Sequence, residues 1–159
     1  MLRISKLTDY GIVLLAHFAD RPGRTCNARE LAEETGLPFP AVGKVLKTLA
    51  QEGLLVSHRG ARGGYALARP AAEISVAEII EALEGPIALM ECSAGPGHCE
   101  KEATCRVRDP WQRIQDAIHS TLSGVTLRGL AHPSADPLVH ITTLSAAPDD
   151  PTRERGSHV

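Results

Sequence analysis

The sequence predicts a mainly α-helical fold that contains one small β-hairpin. Two short helical segments lie on either side of a tight turn near residues 36–40, two strand-like segments flank a glycine-rich stretch at 60–64, and a long periodic segment begins at Asp109-Pro110. Apolar residues at every third or fourth position indicate helices with one buried side, and short apolar runs bounded by glycine indicate strands. A hairpin directly after two short helices is typical of a winged helix-turn-helix, which is the architecture we predict, followed by a long dimerisation helix.

The size and composition of the chain limit its class. Its 159 residues suit one or two small domains, and a hydrophobic content of 43% suffices for a packed core. No apolar run approaches the roughly 18 residues that a membrane-spanning helix needs, and the N-terminus lacks the apolar segment of a secretory signal. We therefore expect a cytoplasmic protein with no membrane partner.

Charge is distributed unevenly along the chain. Residues 1–70 carry ten Lys and Arg against six Asp and Glu, a net +4, whereas residues 71–159 carry seven against thirteen, a net −6. A basic domain is the electrostatic footprint of nucleic-acid binding, but a difference of this size needs a motif to support it.

The first helix is predicted from Leu7, where apolar residues begin to recur at helical spacing, to the segment Asp20-Arg21-Pro22-Gly23. Asp9 lies one turn into this helix and off its apolar face, where a carboxylate is favourable near the helix N-terminus. The apolar stripe comprises Leu7, Tyr10, Leu14, Leu15 and Phe18.

The next two helices form the predicted helix-turn-helix. Asn27 and Glu30 have the spacing of a capping box at the start of the first helix, and Gly36 supplies its left-handed stop. The second helix runs to about Glu52, and its cationic outer face would enter the major groove of DNA. An ordinary helical hairpin with a solvated polar face is the alternative. The inward residues are Val42, Val45, Leu46 and Leu49, and the outward residues are Lys44, Lys47, Thr48 and Gln51.

The two predicted strands, 54–59 and 65–68, enclose a turn at 60–64 and form the wing. Arg59 and Arg62 lie among its glycines, so the backbone can approach DNA while the guanidinium groups reach phosphates or the minor groove. Together with Gly60 and Tyr65, they are the candidate DNA-contacting residues of the wing. A charged surface hairpin without a ligand is the alternative.

A further helix and a long helix follow the wing. Ser75 and Glu78 form an S-x-x-E capping box for the further helix, which ends at Gly85-Pro86. Asp109 is the predicted N-cap of the long helix, with Pro110 at its first position. We predict that the long helix mediates dimerisation, and packing back onto its own domain is the alternative. Its apolar positions are Trp111, Ile114, Ala117, Ile118, Thr121, Leu122 and Val125.

We divide the chain into four parts on this basis. Residues 1–84 form the winged helix-turn-helix domain and residues 85–108 the cysteine loop. Residues 109–131 comprise the dimerisation helix and a short C-terminal helix. Residues 132–159 are expected to be a disordered tail, because they are polar and interrupted by four prolines.

Three of the four cysteines lie close together in the sequence. Cys92, Cys99 and Cys105 are separated by six and five residues, so their thiols can surround one metal centre. Thiolates suit iron-sulfur clusters and zinc, and a closed site needs a fourth ligand. Unconnected free thiols or a disulfide are the alternatives, and the odd number together with the lack of a secretory signal disfavours a disulfide. Cys26 stands alone beside a helix cap and is interpreted as structural or incidental.

These segments together resemble the bacterial iron-sulfur transcription regulators that include IscR and NsrR. The resemblance rests on residues 7–11, the wing from Arg59 to Leu67, the helix at 74–80 and the three cysteines, and it covers residues 1–131. The opening residues 1–11 are most similar to regulators of the SUF iron-sulfur assembly system. The resemblance implies a homodimeric winged-helix repressor of SUF genes that binds a double-stranded DNA operator. It also implies one iron-sulfur cluster per protomer, [2Fe-2S] or [4Fe-4S], bound by Cys92, Cys99 and Cys105.

The resemblance also bears on the fourth ligand, which is not a cysteine in these regulators. In IscR-like members a histidine follows the third cysteine by three residues, but Arg108 stands here and its protonated guanidinium cannot ligate. In NsrR-like members an aspartate on the first helix of the partner subunit completes the site, and Asp9 matches that position. Asp9 of the partner subunit is therefore the first candidate, His98 the second and Glu91 the third.

Three alternative functions follow from the same features. The first is a regulator of the same fold that senses nitric oxide, and the second is a regulator that binds zinc. An iron-sulfur redox or electron-transfer protein belongs to another class. It is disfavoured because the sequence has no C-x-x-C motif and no nucleotide-binding glycine pattern, and because it would leave the wing unexplained. We therefore expect no enzyme activity and no small-molecule substrate.

Overall fold

The computed structural model describes residues 4–60, 63–90, 99 and 105–133 of the protein. Within these residues the fold is mainly helical with one two-stranded hairpin, as predicted. None of the described helices is both long and apolar enough to cross a bilayer. In chain order the elements are α1 (Lys6–Ala19), α2 (Ala28–Thr35), α3 (Phe39–Gln51), β1 (Leu55–His58), β2 (Gly64–Leu67), a 3-10 turn (Ala71–Glu73), α4 (Val76–Glu84), α5 (Arg108–Gly124) and α6 (Leu127–Ala131).

The hydrophobic core forms where α1, α3 and α4 meet the hairpin and α6. The apolar stripe predicted for α1 turns inward, with its last three members fully buried and Leu7 and Tyr10 partly buried against them. Burial of each such side chain contributes about 1.5–3 kcal/mol relative to exposure. The fully buried members include Leu14, Leu15, Phe18, Leu46, Leu49, Ile79 and Leu127.

Side-chain caps fix the starts of α2 and α4. Ser75 and Glu78 bond to each other's backbone at α4, so the predicted capping box is confirmed. At α2, the Asn27 side chain accepts the N–H groups of Arg29 and Glu30 at 3.0 and 2.9 Å. The Glu30 carboxylate, however, pairs with Arg24. Only the Asn27 half of the box predicted there is therefore seen, because a nearby guanidinium is the stronger partner for a carboxylate.

The start of α5 lies two residues before the predicted one. The helix begins at Arg108, its N-cap is Val107 without a side-chain hydrogen bond, and Asp109 lies within the first turn. Pro110 is tolerated there because the N–H groups of a first helical turn have no partner within the helix. Asp109 thus interacts with the positive end of the helix rather than capping it.

A single-residue bridge attaches the wing to the turn before α2. β1 and β2 pair antiparallel, with Leu55 opposite Leu67 and His58 opposite Gly64. Cys26 N–H donates to the Tyr65 carbonyl at 2.9 Å, and Tyr65 N–H donates to the Cys26 carbonyl at 2.8 Å. Cys26 is fully buried, which agrees with the structural reading of this cysteine.

After α5 the chain returns to the core. Val76 N–H donates to the Val125 carbonyl and Leu127 N–H donates to the Ile74 carbonyl, each at 2.8 Å. This short antiparallel bridge joins the start of α4 to the turn between α5 and α6, and the Leu127 side chain is fully buried beside it. The C-terminal end of α5 is therefore attached firmly to the rest of the fold.

Candidate DNA-binding surface and cysteine loop

The outer face of α3 is cationic. Lys44, Lys47 and Gln51 are exposed, whereas the four residues predicted to face inward are all buried. Thr48 is partly exposed, and its hydroxyl donates to the Lys44 carbonyl at 3.2 Å. The hydroxyl proton of Thr48 is thus used within the helix.

The start of α3 presents an apolar side chain that the sequence analysis did not select. Phe39 is the first residue of the helix and is 53% exposed. It borders a shallow depression of about 330 Å³ between α2 and α3, which is also lined by Arg29, Ala32, Glu33 and Leu37. An exposed phenylalanine directly after Pro38 was the available signal, because the first residues of a recognition helix are the ones that reach base edges.

The wing presents one arginine to solvent within the described residues. Arg59 and Gly60 are exposed, and Gly60 has a φ of 114°, which favours glycine. Tyr65 is partly buried and packs against the core, and its backbone bonds to Cys26. It therefore attaches the wing to the core. Arg62 lies outside the described residues.

The predicted cysteine ligands are described only in part. Cys99 and Cys105 are partly exposed free thiols, and the Cys105 carbonyl accepts the Arg108 N–H at 3.4 Å. Cys92, His98 and Glu91 lie outside the described residues. Within residues 4–60, 63–90, 99 and 105–133, no three His, Cys, Asp or Glu side chains come together as a metal site. The ligand set therefore stays a prediction.

Cys26 has the opposite environment. Its side chain is fully buried, and burial raises the pKa of its thiol. A buried neutral thiol is an inert hydrophobic group, whereas a metal ligand must be a thiolate. This separates Cys26 chemically from Cys99 and Cys105.

The end of α4, from which the cysteine loop departs, is bonded to the start of α1. The Glu84 carboxylate accepts the Ser5 N–H at 2.7 Å and the Thr8 hydroxyl at 2.5 Å. The bond from Thr8, followed by those from Ser5, holds the pKa of Glu84 below its usual value. Asp9, the candidate fourth ligand, is the exposed neighbour of the buried Thr8. The N-terminus of α1 is thus fixed beside the beginning of the loop.

A second contact ties the beginning of the loop to α5. Gln115 is only 6% exposed, and its side-chain oxygen accepts the Leu89 N–H at 2.9 Å while its side-chain nitrogen donates to the Ile87 carbonyl. The sequence analysis did not identify Gln115. The available signal was a polar residue at helical spacing from Ile118 and Leu122, because a polar group on an inward face requires specific hydrogen bonds.

The apolar seam predicted for α5 is divided between two sides of the helix. Ile118 and Leu122 are partly buried on the side of Gln115, and α5 packs against α4. Val107, Trp111 and Ile114 are 53, 38 and 45% exposed and are spaced by four and three residues. The C-terminal half of α5 therefore packs on its own domain, while its N-terminal half leaves an apolar stripe uncovered within the described chain.

Comparison with known proteins identifies relatives of this architecture. The Rrf2 family model, described as an iron-dependent transcriptional regulator, matches residues 4–133. The HTH-type transcriptional repressor NsrR of Streptomyces coelicolor is 29% identical over 147 residues, which cover 89% of this chain and 97% of that protein.

Solved structures give the same picture of the fold. CymR, the global cysteine regulator of B. subtilis, superimposes with a TM-score of 0.65 at 32% identity, covering 82% of this chain and 97% of CymR. IscR of T. potens superimposes with a TM-score of 0.62 at 27% identity, covering 85% of this chain and 89% of IscR.

Proposed function

Because the chain belongs to the Rrf2 family of transcriptional regulators, we propose that it is a homodimeric repressor that senses iron-sulfur status through a cluster held by Cys92, Cys99 and Cys105. Its targets under this proposal are genes of SUF-type iron-sulfur assembly, and its place of action is the cytoplasm, where the operator lies. The observation that carries the proposal is the position of the cysteine loop. Glu84, just before the loop, is bonded to α1, residues 87 and 89 of the loop are bonded to Gln115 of α5, and Cys105 lies three residues before α5.

DNA reading is assigned to α3 and the wing. Lys44 and Lys47 place two positive charges on the exposed face of α3, and Arg59 adds a third at the wing, all suited to phosphate contacts. Phe39 offers apolar surface at the N-terminal end of the helix, which suits the methyl group of a thymine. Arg62 is proposed to extend the wing contact from its place in the sequence.

Dimerisation is assigned to the uncovered stripe of α5. Val107, Trp111 and Ile114 have the four-and-three spacing of a coiled-coil seam, and a second copy of the helix would cover them. Two copies of α3 would then read two half-sites of one operator. The similarity to NsrR, which is a transcriptional repressor, supports repression as the direction of control.

The donor set fits an iron-sulfur cluster. Cys99 and Cys105 are partly exposed thiols, a ligand type suited to iron-sulfur clusters, and Cys105 lies three residues before the start of α5. A bound cluster supplies a centre whose presence follows the supply of iron and sulfide. Asp9 is proposed as the fourth ligand from the partner subunit, because it is exposed on the first turn of α1. His98 and Glu91 are the second and third candidates.

The described contacts suggest how this chain transmits the state of the loop. Thr8 and Ser5 hold the start of α1 to Glu84, so the loop leaves α4 at a fixed point. Ligation by three cysteines would fix the course of the loop relative to α5. The angle between the two copies of α3 then depends on α5, which changes DNA affinity as cluster binding changes.

The decisive experiment is anaerobic purification of the full chain, followed by iron and sulfide analysis, native mass spectrometry and DNA gel shifts with genomic fragments. We expect a coloured dimer with iron and sulfide in each protomer, and a DNA affinity that changes when the cluster is removed. A colourless protein with bound zinc would favour the zinc-binding alternative. A protein without iron or sulfide, whose DNA binding is indifferent to Cys92→Ser, Cys99→Ser and Cys105→Ser together, would refute the proposal.

A regulator of this fold could respond to either of two other signals. Nitric oxide is the alternative raised by the Asp9 match, and titration of the purified dimer with nitric oxide would reveal it as stoichiometric loss of DNA binding. The similarity to CymR, the global cysteine regulator of B. subtilis, makes thiol metabolism a second alternative. The regulated genes distinguish all three, because each signal predicts a different set of operators.

A further inference from the structure

The two buried polar side chains among the described residues both bind within residues 84–89, where α4 ends and the cysteine loop begins. Thr8 is fully buried and donates to Glu84, the last residue of α4. Gln115 is 6% exposed and bonds to Leu89 and Ile87. Buried polar groups are costly unless they are satisfied, so their concentration at one segment indicates that the position of this segment is specified rather than left to apolar packing.

Gln115 makes a two-point contact with backbone. Its side-chain oxygen accepts the Leu89 N–H, and its side-chain nitrogen donates to the Ile87 carbonyl, which is the pattern that a neighbouring strand would make. Such a contact fixes both the distance and the rotation of residues 87–89 relative to α5. A single hydrogen bond or an apolar contact would allow the segment to slide along the helix.

Both ends of the cysteine loop are thereby attached to α5. Its beginning is held at Gln115, and at its other end the Arg108 N–H donates to the Cys105 carbonyl. The two attachment points are seven residues apart on the helix, about 10 Å along its axis. A restraint on the loop would therefore reach α5 at these two points, which lie on either side of Trp111 and Ile114.

Resting on the function proposed above, we propose that Gln115 is the positioning residue that couples the ligand state of the cysteine loop to α5 and hence to DNA affinity. Cys92 follows Leu89 by three residues in the sequence, so its ligation would restrain residues 87–89, and the amide of Gln115 would transfer that restraint to α5. Loss of the amide uncouples the loop from the helix without removing any cysteine.

The test compares Gln115→Met with Gln112→Met in the full-length dimer. Methionine keeps the length of the side chain and removes its hydrogen-bonding groups. Gln112 lies on the same helix, is exposed and donates to Asp116 at 3.0 Å, so its replacement reproduces the chemical change away from the loop. The DNA probe is a duplex selected from genomic fragments by the wild-type protein. Its Kd is measured for cluster-loaded and cluster-free protein under oxygen-free conditions.

We expect Gln115→Met to bind iron and sulfide with wild-type stoichiometry, while the ratio of the two Kd values falls at least fivefold towards one. Hydrogen exchange of the Leu89 amide should accelerate at least tenfold in this variant, because its acceptor is gone. Gln112→Met should match the wild type in both measurements. A merely structural role of Gln115 would weaken both forms equally and leave the Kd ratio unchanged.

Two outcomes overturn the inference in distinguishable ways. A wild-type Kd ratio retained in Gln115→Met, with accelerated exchange at Leu89, shows that the contact exists but transmits nothing. A ratio of one already in the wild-type protein refutes the proposed function itself, and the role of Gln115 with it. If Gln115→Met is poorly folded, Gln115→Glu replaces it, since a carboxylate keeps the acceptor for Leu89 and loses only the donor to Ile87. A wild-type ratio in that variant likewise overturns the inference.

Discussion

Individual residues decide how closely the wing can approach the body of the protein. A Cβ atom on Gly64 would lie 2.5 Å from the Cys26 carbonyl oxygen, well inside van der Waals contact and against backbone that cannot rotate away. A Cβ atom on Gly43, in the middle of α3, meets nothing within 4 Å. The two glycines therefore have opposite meanings, one required by a close approach and the other a local weakness of a helix.

We predict that Gly64→Ala destabilises the protein by about 1–3 kcal/mol, because the bridge between Cys26 and Tyr65 must open to admit the methyl group. Gly43→Ala should stabilise it by about 0.5–1 kcal/mol, the usual gain for alanine over glycine inside a helix. Urea unfolding followed by circular dichroism measures both. Equal stability of the two variants would contradict the close packing of the wing against Cys26.

Glu84 makes the attachment of α1 dependent on pH. The hydrogen bonds from Thr8 and Ser5 hold the pKa of its carboxyl below the usual value of about 4.5. A carboxyl whose pKa is depressed by folding contributes stability above the unfolded pKa, and this contribution disappears as the pH falls through the folded pKa. The bond between α1 and the start of the cysteine loop should therefore weaken below about pH 4.5 and persist at neutral pH.

We predict that Glu84→Gln lowers the free energy of unfolding at pH 7, and that the difference from the wild type shrinks as the pH falls below about 4.5. Glu52→Gln, at the exposed end of α3, serves as the control and should show no such convergence. Chemical unfolding of the cluster-free protein between pH 3.5 and 7 measures this effect. A difference that stays constant over this range would show that the carboxylate charge of Glu84 is not used.

At the scale of elements, local signals in the sequence identified each helix of the winged domain. Caps and apolar spacing act over a few residues, so Ser75 and Glu78 predicted the start of α4 correctly. The bridge at Cys26 was missed because one paired residue leaves no repeating pattern. The α5 seam was predicted as a whole, but spacing alone cannot tell residues that face their own domain, such as Ile118, from those that stay exposed, such as Ile114.

The wing makes a prediction that concerns charge alone. Arg59→Ala should weaken DNA binding at low salt and reduce the slope of log Kd against log salt concentration by about one, because one phosphate contact is lost. Arg113→Ala, which removes an exposed charge from α5, is the control with an unchanged slope. Titrations of labelled duplex at four salt concentrations measure the slope. An unchanged slope for Arg59→Ala would remove this residue from the DNA-binding surface.

The uncovered stripe of α5 makes a prediction about assembly. Ile114→Glu should convert the proposed dimer into monomers, because a charge in the centre of a helical seam would be buried without a partner on association. Its fold should stay intact, since Ile114 is 45% exposed in the single chain. Gln112→Glu places the same charge two residues away, on the opposite side of the helix, and should leave the proposed dimer unchanged. Light scattering after size exclusion, together with circular dichroism, measures both, and a dimeric Ile114→Glu protein would locate the interface elsewhere.

For the whole molecule, the sequence predicted features that depend on neighbouring residues. It did not predict contacts between residues that are far apart in the chain. The capping box at Ser75 and Glu78 is such a local signal, whereas the metal centre predicted from the three cysteines stays a prediction. The attachment of the cysteine loop depends on Gln115, which lies 26 residues after Leu89, and on Thr8, which lies 76 residues before Glu84. Hydrogen bonds over such separations follow from the packing of α1, α4 and α5, which no short motif encodes.

The segment between α4 and α5 adds nothing to the hydrophobic core in the part that the structure describes. Within the described residues, no member of the hydrophobic core falls between Gly85 and Val107, and the bridge from α4 to the turn after α5 closes the core without them. In the described part of this segment, residues 87 and 89 are held by hydrogen bonds to Gln115 rather than by the hydrophobic core. A sensor segment from another protein, grafted between α4 and α5, would therefore leave the apolar core of the winged domain in place.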